Sequence, residues 1–456
     1  MNIKKSALYL APPVALAAYF LSIMAGADHK VAATFAITLL TAIWWVTEAL
    51  PIPATSLLPF AAFPLCNVLT HKEVALGLGN HVILLLMGGF MLAKSLEQCG
   101  LHRRFSLMML NKLGGGGKRI VFAFIITAAF LSMWISNTAT TLMLMPIGLG
   151  VLAMLDDKKL AIAVVLGIAY GASFGGIATL IGTPPNVIFA GVYQEFTQQE
   201  FGFLRWMEIG LPVVILGLPL MALWLTRNVS GKMAITLPAT GSWEVDEKRV
   251  LVVFSLAVLF WITRSEPFGG WSQLLHIPGA GDSTVALAAV LLLFLIPSGK
   301  GGGLLTWKTA SEIPWGMLLL FAGGITIAKA FMVSGLAELI GTRLTVLADL
   351  PLPLLILCIC LCVTFLTEIT SNVATTTLLM PILAAAAMAV NIPPEVMMIP
   401  AAMSASCAFM LPVATAPNAI AYGTDRVSMQ EMMREGIVLN LIFALLITGV
   451  CHYTLG

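Results

Sequence analysis

Charge is what this sequence has least of. Only 10% of its 456 residues are Asp, Glu, Lys or Arg, against 59% hydrophobic, where a soluble domain carries about 25% charge. With a mean hydropathy of +0.97, the chain is one solvated by lipid rather than water. A net charge of +2 without any basic run gives nucleic acid nothing to bind. Cysteine is also sparse: seven, an odd number, with Cys358, Cys360, Cys362 and Cys407 inside apolar segments. That pattern offers neither a disulfide framework nor metal-ligand spacing, and the thiols read as small buried hydrophobes. His29, His71, His81, His102, His276 and His452 fall near the ends of apolar runs with no nucleophile or base at a useful spacing, so no enzyme is expected. No ring of charges suggests an ion channel, and no soluble domain of useful size fits.

What is plentiful is apolar runs of roughly 20 residues, the length that crosses a ~30 Å hydrocarbon core as a helix. About eleven crossings are expected, near 7–26, 31–49, 51–69, 76–100, 160–192, 204–228, 248–264, 282–297, 315–345, 396–424 and 430–454. Two further apolar pairs lie at 119–155 and 351–390, and an amphipathic stretch ends at GGGGKR (114–119). That glycine run lacks the order of a phosphate loop and reads as a hinge. Lys4 and Lys5 before an apolar run and AGA (25–27) outline a signal peptide, but Pro12-Pro13 favours a retained first helix. With the amino terminus in the cytoplasm, seventeen of the 24 lysines and arginines fall inside, five outside, and Lys94 and Lys329 within apolar runs. This is the positive-inside distribution, and it puts the carboxyl terminus outside. An integral protein of a bacterial inner membrane is the expected setting.

Into this apolar background one polar sentence is written twice: SNTATTLMLMPI (136–147) and SNVATTTLLMPI (371–382), 235 residues apart. Upstream, LLLMGGFMLAKSLEQCGL (84–101) matches LLLFAGGITIAKAFMVSGL (318–336), with Lys94 and Lys329 again 235 apart. Downstream, TPPN (183–186) matches TAPN (415–418) at a spacing of 232. Five expected crossings separate the two motif segments, an odd number, so the halves must be inverted in the membrane. Inverted repeats with a site near the midplane are the architecture of secondary transporters. The expected division is 1–75 as amino-terminal scaffold helices, 76–228 as the first repeat, 229–310 as connecting scaffold helices and 311–456 as the second repeat. Each repeat has a re-entrant hairpin (119–155, 351–390) and a broken helix (183–186, 415–418).

The chemistry follows from these breaks. Arms of about 17 residues on either side of Ser136-Asn137 reach only ~25 Å at ~1.5 Å per residue, short of a full crossing; the second pair is longer. Ser, Asn and Thr at a helix start cap free N–H groups, and that end attracts anions. Unwound carbonyls with hydroxyl and amide oxygens suit a small hard cation. Pro184, Pro185 and Pro417 cannot continue a ladder and free further carbonyls. Two cation cages would flank one anion pocket. The pairs Gly88-Gly89 and Gly323-Gly324 read as close-packing positions. Lys94, Lys329 and Glu368 read as structural or hairpin-bracing groups, and Glu48, Glu97 and Glu338 as solvated span-end acids.

At these residues the sequence resembles the divalent anion:sodium symporters, the sodium-coupled dicarboxylate and citrate carriers. WWVTEALPIPATSLLP, LSMWISNTATT, GGIATLIGTPPN, TEITSNVATTTLLMP and SCAFMLPVATAPNAI carry the likeness along nearly the whole chain. The resemblance implies an all-α polytopic fold of eleven spans with two re-entrant hairpins, a homodimer held by scaffold domains, and an elevator-like transport domain. It implies one sodium ion held by Ser132, Ser136, Asn137 and Gly182, and a second by Thr367, Thr370, Asn372 and Ala414. Asn137, Thr138 and Asn372 would touch substrate carboxylates, with Ser136, Thr183, Pro184, Ser371 and Thr415 nearby. The chain departs from the family at Val373, which replaces a hydroxyl, and at Ala416, where proline is usual. Sodium-driven uptake of a C4-dicarboxylate such as succinate, fumarate or malate is the expected function, with sodium-independent dicarboxylate or tricarboxylate exchange, and less so sulfate transport or an ion channel, as alternatives.

Overall fold

The computed structural model describes residues 3–113, 115–153, 157–229, 241–265, 269–343 and 350–455. Gly114 of the glycine run, 154–155 at the end of the first motif segment, 230–240 and 266–268 in the two long connectors and 344–345 at the end of an expected crossing therefore lie outside the described residues. Among the described residues the secondary structure is helical, with one isolated bridge between Pro297 and Gly303. Among the described residues, nine helices are long and apolar enough to cross a membrane. Seven fall on expected crossings, and Leu352–Ile369 and Asn372–Ala389 are the arms of the second motif segment. The other expected crossings fall on shorter or polar-tipped helices, Ile52–Leu65, Asp282–Leu295, Val245–Ile262 and the broken pair Pro394–Ala405 and Ala416–Tyr422.

The repeat detected in sequence is a repeat of conformation. Helix His81–Cys99 ends at Gly100 and helix Trp315–Ser334 ends at Gly335, with φ of 78° and 82°. Both are left-handed caps that glycine adopts without a Cβ penalty. This cap stops the second helix short of the expected 315–345 span, and the chain restarts as Leu336–Arg343. Each motif segment is a helix, a turn and a helix: Lys118–Ser132 with Asn137–Leu152, and Leu352–Ile369 with Asn372–Ala389. The first arms have 15 and 16 residues, the second 18 each.

Burial locates the core. Helix Lys158–Gly175 is buried from Leu160 to Gly175 apart from Ile162. It lies against Lys118–Ser132, which glycine at every fourth position permits. A Cβ on Gly171 would stand 2.8 Å from the Ile125 carbonyl oxygen, and one on Gly175 would run into the Ala129 backbone. The two repeats meet through Tyr170, whose hydroxyl donates to the Phe409 carbonyl at 2.6 Å, and through stacked Phe174 and Phe443 at 4.1 Å. The glycine pairs also mark close approach: a Cβ on Gly88 would meet Ala286 at 2.7 Å, and one on Gly324 would meet Thr377. On the far side, Ile3–Met24 packs against His29–Thr47, with Trp44 Nε1 donating to the Ala7 carbonyl. Arg104 fastens the amphipathic helix Leu101–Leu113 to Val245–Ile262, reaching both oxygens of buried Glu247 at 2.8 Å.

Candidate functional site

Each hairpin turn is built around one asparagine. Asn137 and Asn372 are the first residues of their arms, where the amide side chain is free of the helix ladder and can turn back on the preceding arm. The Ser132 hydroxyl donates to Asn137 Oδ1 at 2.5 Å, and the Thr367 hydroxyl to Asn372 Oδ1 at 2.7 Å. Ser136 caps its helix by accepting from Ala139 N at 3.2 Å, whereas Ser371 makes no such bond. Thr370 bonds the Leu366 carbonyl and the Thr375 hydroxyl within the arm pair.

The broken helices unwind just before the T-x-P-N stretches, and those stretches start the second half-helices, Pro184–Thr197 and Ala416–Tyr422. Proline is accommodated there because the first helical positions need no N–H donor. The asparagine of each stretch then staples the unwound turn. Asn186 Nδ2 donates to the Gly176 and Thr179 carbonyls at 3.1 and 2.7 Å. Asn418 Nδ2 donates to those of Ala408 and Leu411 at 2.9 and 3.0 Å. Every member of the second set lies 232 residues after its partner in the first.

Turn and break are tied together differently in the two halves. In the first, the Thr179 hydroxyl donates to the Met133 carbonyl at 2.6 Å. In the second, buried Glu368 accepts from the N–H groups of Phe409, Met410 and Leu411 and from Asn440 Nδ2, all between 2.7 and 3.0 Å. Four donors satisfy a carboxylate that would otherwise be costly to bury. Bracing, the role read for Glu368 in sequence, is the role this geometry shows.

All four elements converge on one cavity of about 690 Å³. Its wall includes Ser136, Asn137, Thr138, Gly182, Thr183, Pro184, Ser371, Asn372, Val373, Ala414, Thr415 and Ala416. Of the residues singled out in sequence, Ser132, Thr367 and Thr370 stand behind this wall, the first two buried and touching the lining asparagines. Helices of 14, 16 and 18 residues start at the cavity, at Pro184, Asn137 and Asn372. Each carries a partial positive charge of roughly 0.5 at that end, so an anion is favoured although no arginine lines the wall.

An oxygen-lined cradle lies beside them. Asn137 Oδ1 and the Gly182 carbonyl oxygen each lie 3.0 Å from the point where a Cβ on Gly176 would stand. The absence of a side chain at Gly176 leaves that cradle open. If the Ser132 hydroxyl turns its hydrogen away from Asn137, hydroxyl, amide and carbonyl oxygens all present lone pairs to one small hard ion. Thr367, Asn372 and Ala414 supply the same oxygen types in the second half, where Ala408 stands at the position equivalent to Gly176.

Three charged wall residues were not assigned to the site from sequence. Lys94, Glu97 and Glu312 line the cavity together with the hairpin turns. Lys94 Nζ pairs with Glu97 at 2.9 Å, and both side chains are about one-quarter exposed, 28% and 27%. Glu97 is therefore a paired cavity residue and not the solvated acid expected, because the helix register turns residue 97 inward with residue 94. Glu48, by contrast, is exposed and paired with Lys4, and Glu338 is exposed. Asn186 and Asn418 were legible as repeated motif letters, but their stapling role was not. Asn440 left one signal, a lone amide in an apolar run.

The family model described as the sodium:sulfate symporter transmembrane region matches residues 4–454. A protein of Staphylococcus saprophyticus described as sodium-dependent dicarboxylate transporter SdcS is 40% identical over 444 residues, covering 92% of this chain and 85% of that protein. A Staphylococcus aureus protein of the same description is 39% identical over 445 residues, with the same coverage. Among solved structures, the Alcanivorax borkumensis YdaH transporter aligns with a TM-score of 0.60 at 15% identity, over 84% of this chain and 86% of that one. That last likeness speaks for the fold alone. With a match running from residue 4 to 454 and relatives at 40% identity, the chain belongs to the sodium:sulfate symporter family, the divalent anion:sodium symporters that its twin motifs resemble.

Proposed function

We propose that the protein is a secondary transporter that couples sodium entry to uptake of a C4-dicarboxylate such as succinate, fumarate or malate. One observation carries this reading: the two repeated turns and the starts of the helices that follow the breaks line a single cavity, where two inverted oxygen cages would flank one anion. The dianion would lie between the turns, held by Asn137, Thr138 and Asn372 and by helix N–H groups, with Ser136, Thr183, Pro184, Ser371, Thr415, Val373 and Ala416 completing its wall. One sodium ion would take Ser132, Ser136, Asn137 and Gly182, the other Thr367, Thr370, Asn372 and Ala414. Each asparagine then serves a cation and a carboxylate together, which makes binding of one depend on the other. The sodium-dependent dicarboxylate transporters among its relatives support the same ion and substrate class.

Alternating access is proposed as an elevator motion. The hairpins and broken helices would move as one body around helix Lys158–Gly175, against a scaffold containing His81–Cys99 and Trp315–Ser334, in a homodimer of the inner membrane.

Uptake of labelled succinate into proteoliposomes tests the reading, with sodium outside or replaced by choline and with or without internal dicarboxylate. Sodium-driven uptake into empty vesicles is expected, with sulfate a weak competitor. Full uptake without sodium, driven only by internal substrate, would make the protein an exchanger. Asn137→Ala and Asn372→Ala should each abolish sodium-driven uptake, since a hydrogen bond to a charged group is worth ~1.5–3 kcal/mol and each truncation also opens a cage. Normal uptake by either variant would remove the shared-asparagine mechanism.

A further inference from the structure

We propose that Lys94 and Lys329 are a matched pair of anion stations, one in each mouth of the transport pathway. Each would take a carboxylate of the passing substrate when the site faces its side. The inference rests on the dicarboxylate reading above, but it concerns residues outside the hairpin turns.

The placement of Lys94 is the first observation. It is one of three charged groups in the cavity wall, and the other two, Glu97 and Glu312, are acids. Its ammonium is held at the cavity by Glu97 at 2.9 Å. An ammonium has three donors, so one carboxylate oxygen leaves it able to bind another anion. Glu97 thus acts as a tethered carboxylate that a substrate carboxylate replaces or joins. Such an exchange suits a passing station: the lysine is never left bare when the substrate departs, and it cannot hold the substrate tightly.

The repeat of conformation supplies the second observation. Lys329 occupies the equivalent position, six residues before the left-handed Gly335, as Lys94 lies six before Gly100 in a helix capped the same way. It is half-buried and is not part of the present cavity wall. Met332 stands three residues on, where Glu97 follows Lys94, and among the described residues no acid pairs with Lys329. Glu73 and Glu195 are within its electrostatic reach. Glu195 lies near the far end of helix Pro184–Thr197, about 16 Å from the cavity-lining start at ~1.5 Å per residue. With the repeats inverted as proposed, the two lysines would lie on opposite sides of the site. In an inverted pair, exposure of one mouth closes the other, so the role held by Lys94 in this state passes to Lys329 in the opposite one.

The test compares the two sides of the membrane separately. Right-side-out and inside-out vesicles containing the full-length protein would be used to measure half-saturation by succinate for entry and for exit. By the expected topology the Lys94 mouth is cytoplasmic. Lys94→Gln should raise the exit constant about two- to fivefold, the size of a solvent-screened charge contact, with entry little changed. Lys329→Gln should do the reverse. Glu97→Gln, which removes the tethered competitor, should lower the exit constant, and Lys94→Arg and Lys329→Arg should retain wild-type behaviour. If the glutamine variants are well folded, as judged by retained maximal flux, and shift the same side equally or neither side, the pairing is wrong. Absence of sodium-driven succinate flux in the wild-type protein would overturn the proposed function and this inference with it, whereas normal wild-type flux with symmetric variants would overturn this inference alone.

Discussion

Single side chains set what this cavity can hold, and the two turns are not chemically alike. Thr138 and Val373 both follow the asparagine of a turn and both line the cavity, so they face opposite ends of one bound dianion in the proposed site. Thr138 offers a hydroxyl donor; Val373 offers only methyl groups. Val373→Thr nearly conserves shape and adds a donor, so transport should persist with an altered preference. Succinate affinity should rise by up to about tenfold if a carboxylate reaches the new hydroxyl, equivalent to ~1.5 kcal/mol. Thr138→Val strips a partner from a partly desolvated anion and should weaken succinate transport by more than that. Competition by succinate and citrate in both variants measures the difference; equal and negligible effects would place the substrate elsewhere. At this scale the sequence was most legible where letters repeat. Ser136, Asn137, Ser371 and Asn372 stood out because polar groups are costly in apolar runs. Lys94 and Glu97 did not, because a lysine and a glutamate three apart on a helix look the same on a solvated face as on a cavity wall.

Elements carry the site by close approach. Gly167, Gly171 and Gly175 let the first hairpin arm lie directly on the buried helix Lys158–Gly175, and the contact at Gly175 is with backbone. Backbone cannot rotate away as a side chain can, so Gly175→Leu should separate the two helices and displace Asn137 and Gly182 together. Overpacking of this kind costs typically ~1–3 kcal/mol. A lower melting temperature in detergent is expected, with sodium-driven uptake lost. Gly150→Leu is the control, since a Cβ on Gly150 would meet nothing within 4 Å, and it should melt as the wild type does. A Gly175→Leu protein with unchanged melting and transport would show that this contact does not position the first cage. The sequence marked the helices and the broken positions, and the T-x-P-N prolines correctly signalled that a helix could not continue through them. It did not show that the break precedes those prolines, because proline is as acceptable at a helix start as it is disruptive within one.

For the whole molecule, the proposed eleven crossings would put the two ends of the chain on opposite faces of the membrane, and the lysine and arginine distribution predicts a cytoplasmic amino end. Lys5→Cys and Thr454→Cys, each placed in a background lacking the native cysteines, should therefore label differently with an impermeant maleimide applied to intact cells. Reaction at 454 and protection at 5 is expected; both reacting, or both protected, would break the odd-crossing topology. The stacked Phe174 and Phe443 and the Tyr170 to Phe409 bond join the repeats into one buried body, which is the body proposed to move.

The amino-acid sequence by itself determined the membrane setting, the two halves and the identity of the turn residues. These follow from local rules: hydrophobic length, charge bias, and the cost of polar groups in an apolar run, all of which act along the chain. Tertiary structure alone decided which of those residues share a wall. Ser132 and Thr367 became partners of asparagines five positions on, Glu368 became the anchor of a loop some forty residues away, and Lys94 with Glu97 turned toward the cavity. Each depends on how one helix is rotated and packed against another, and hydrophobic periodicity reads that rotation poorly when nearly every face of the helix is apolar.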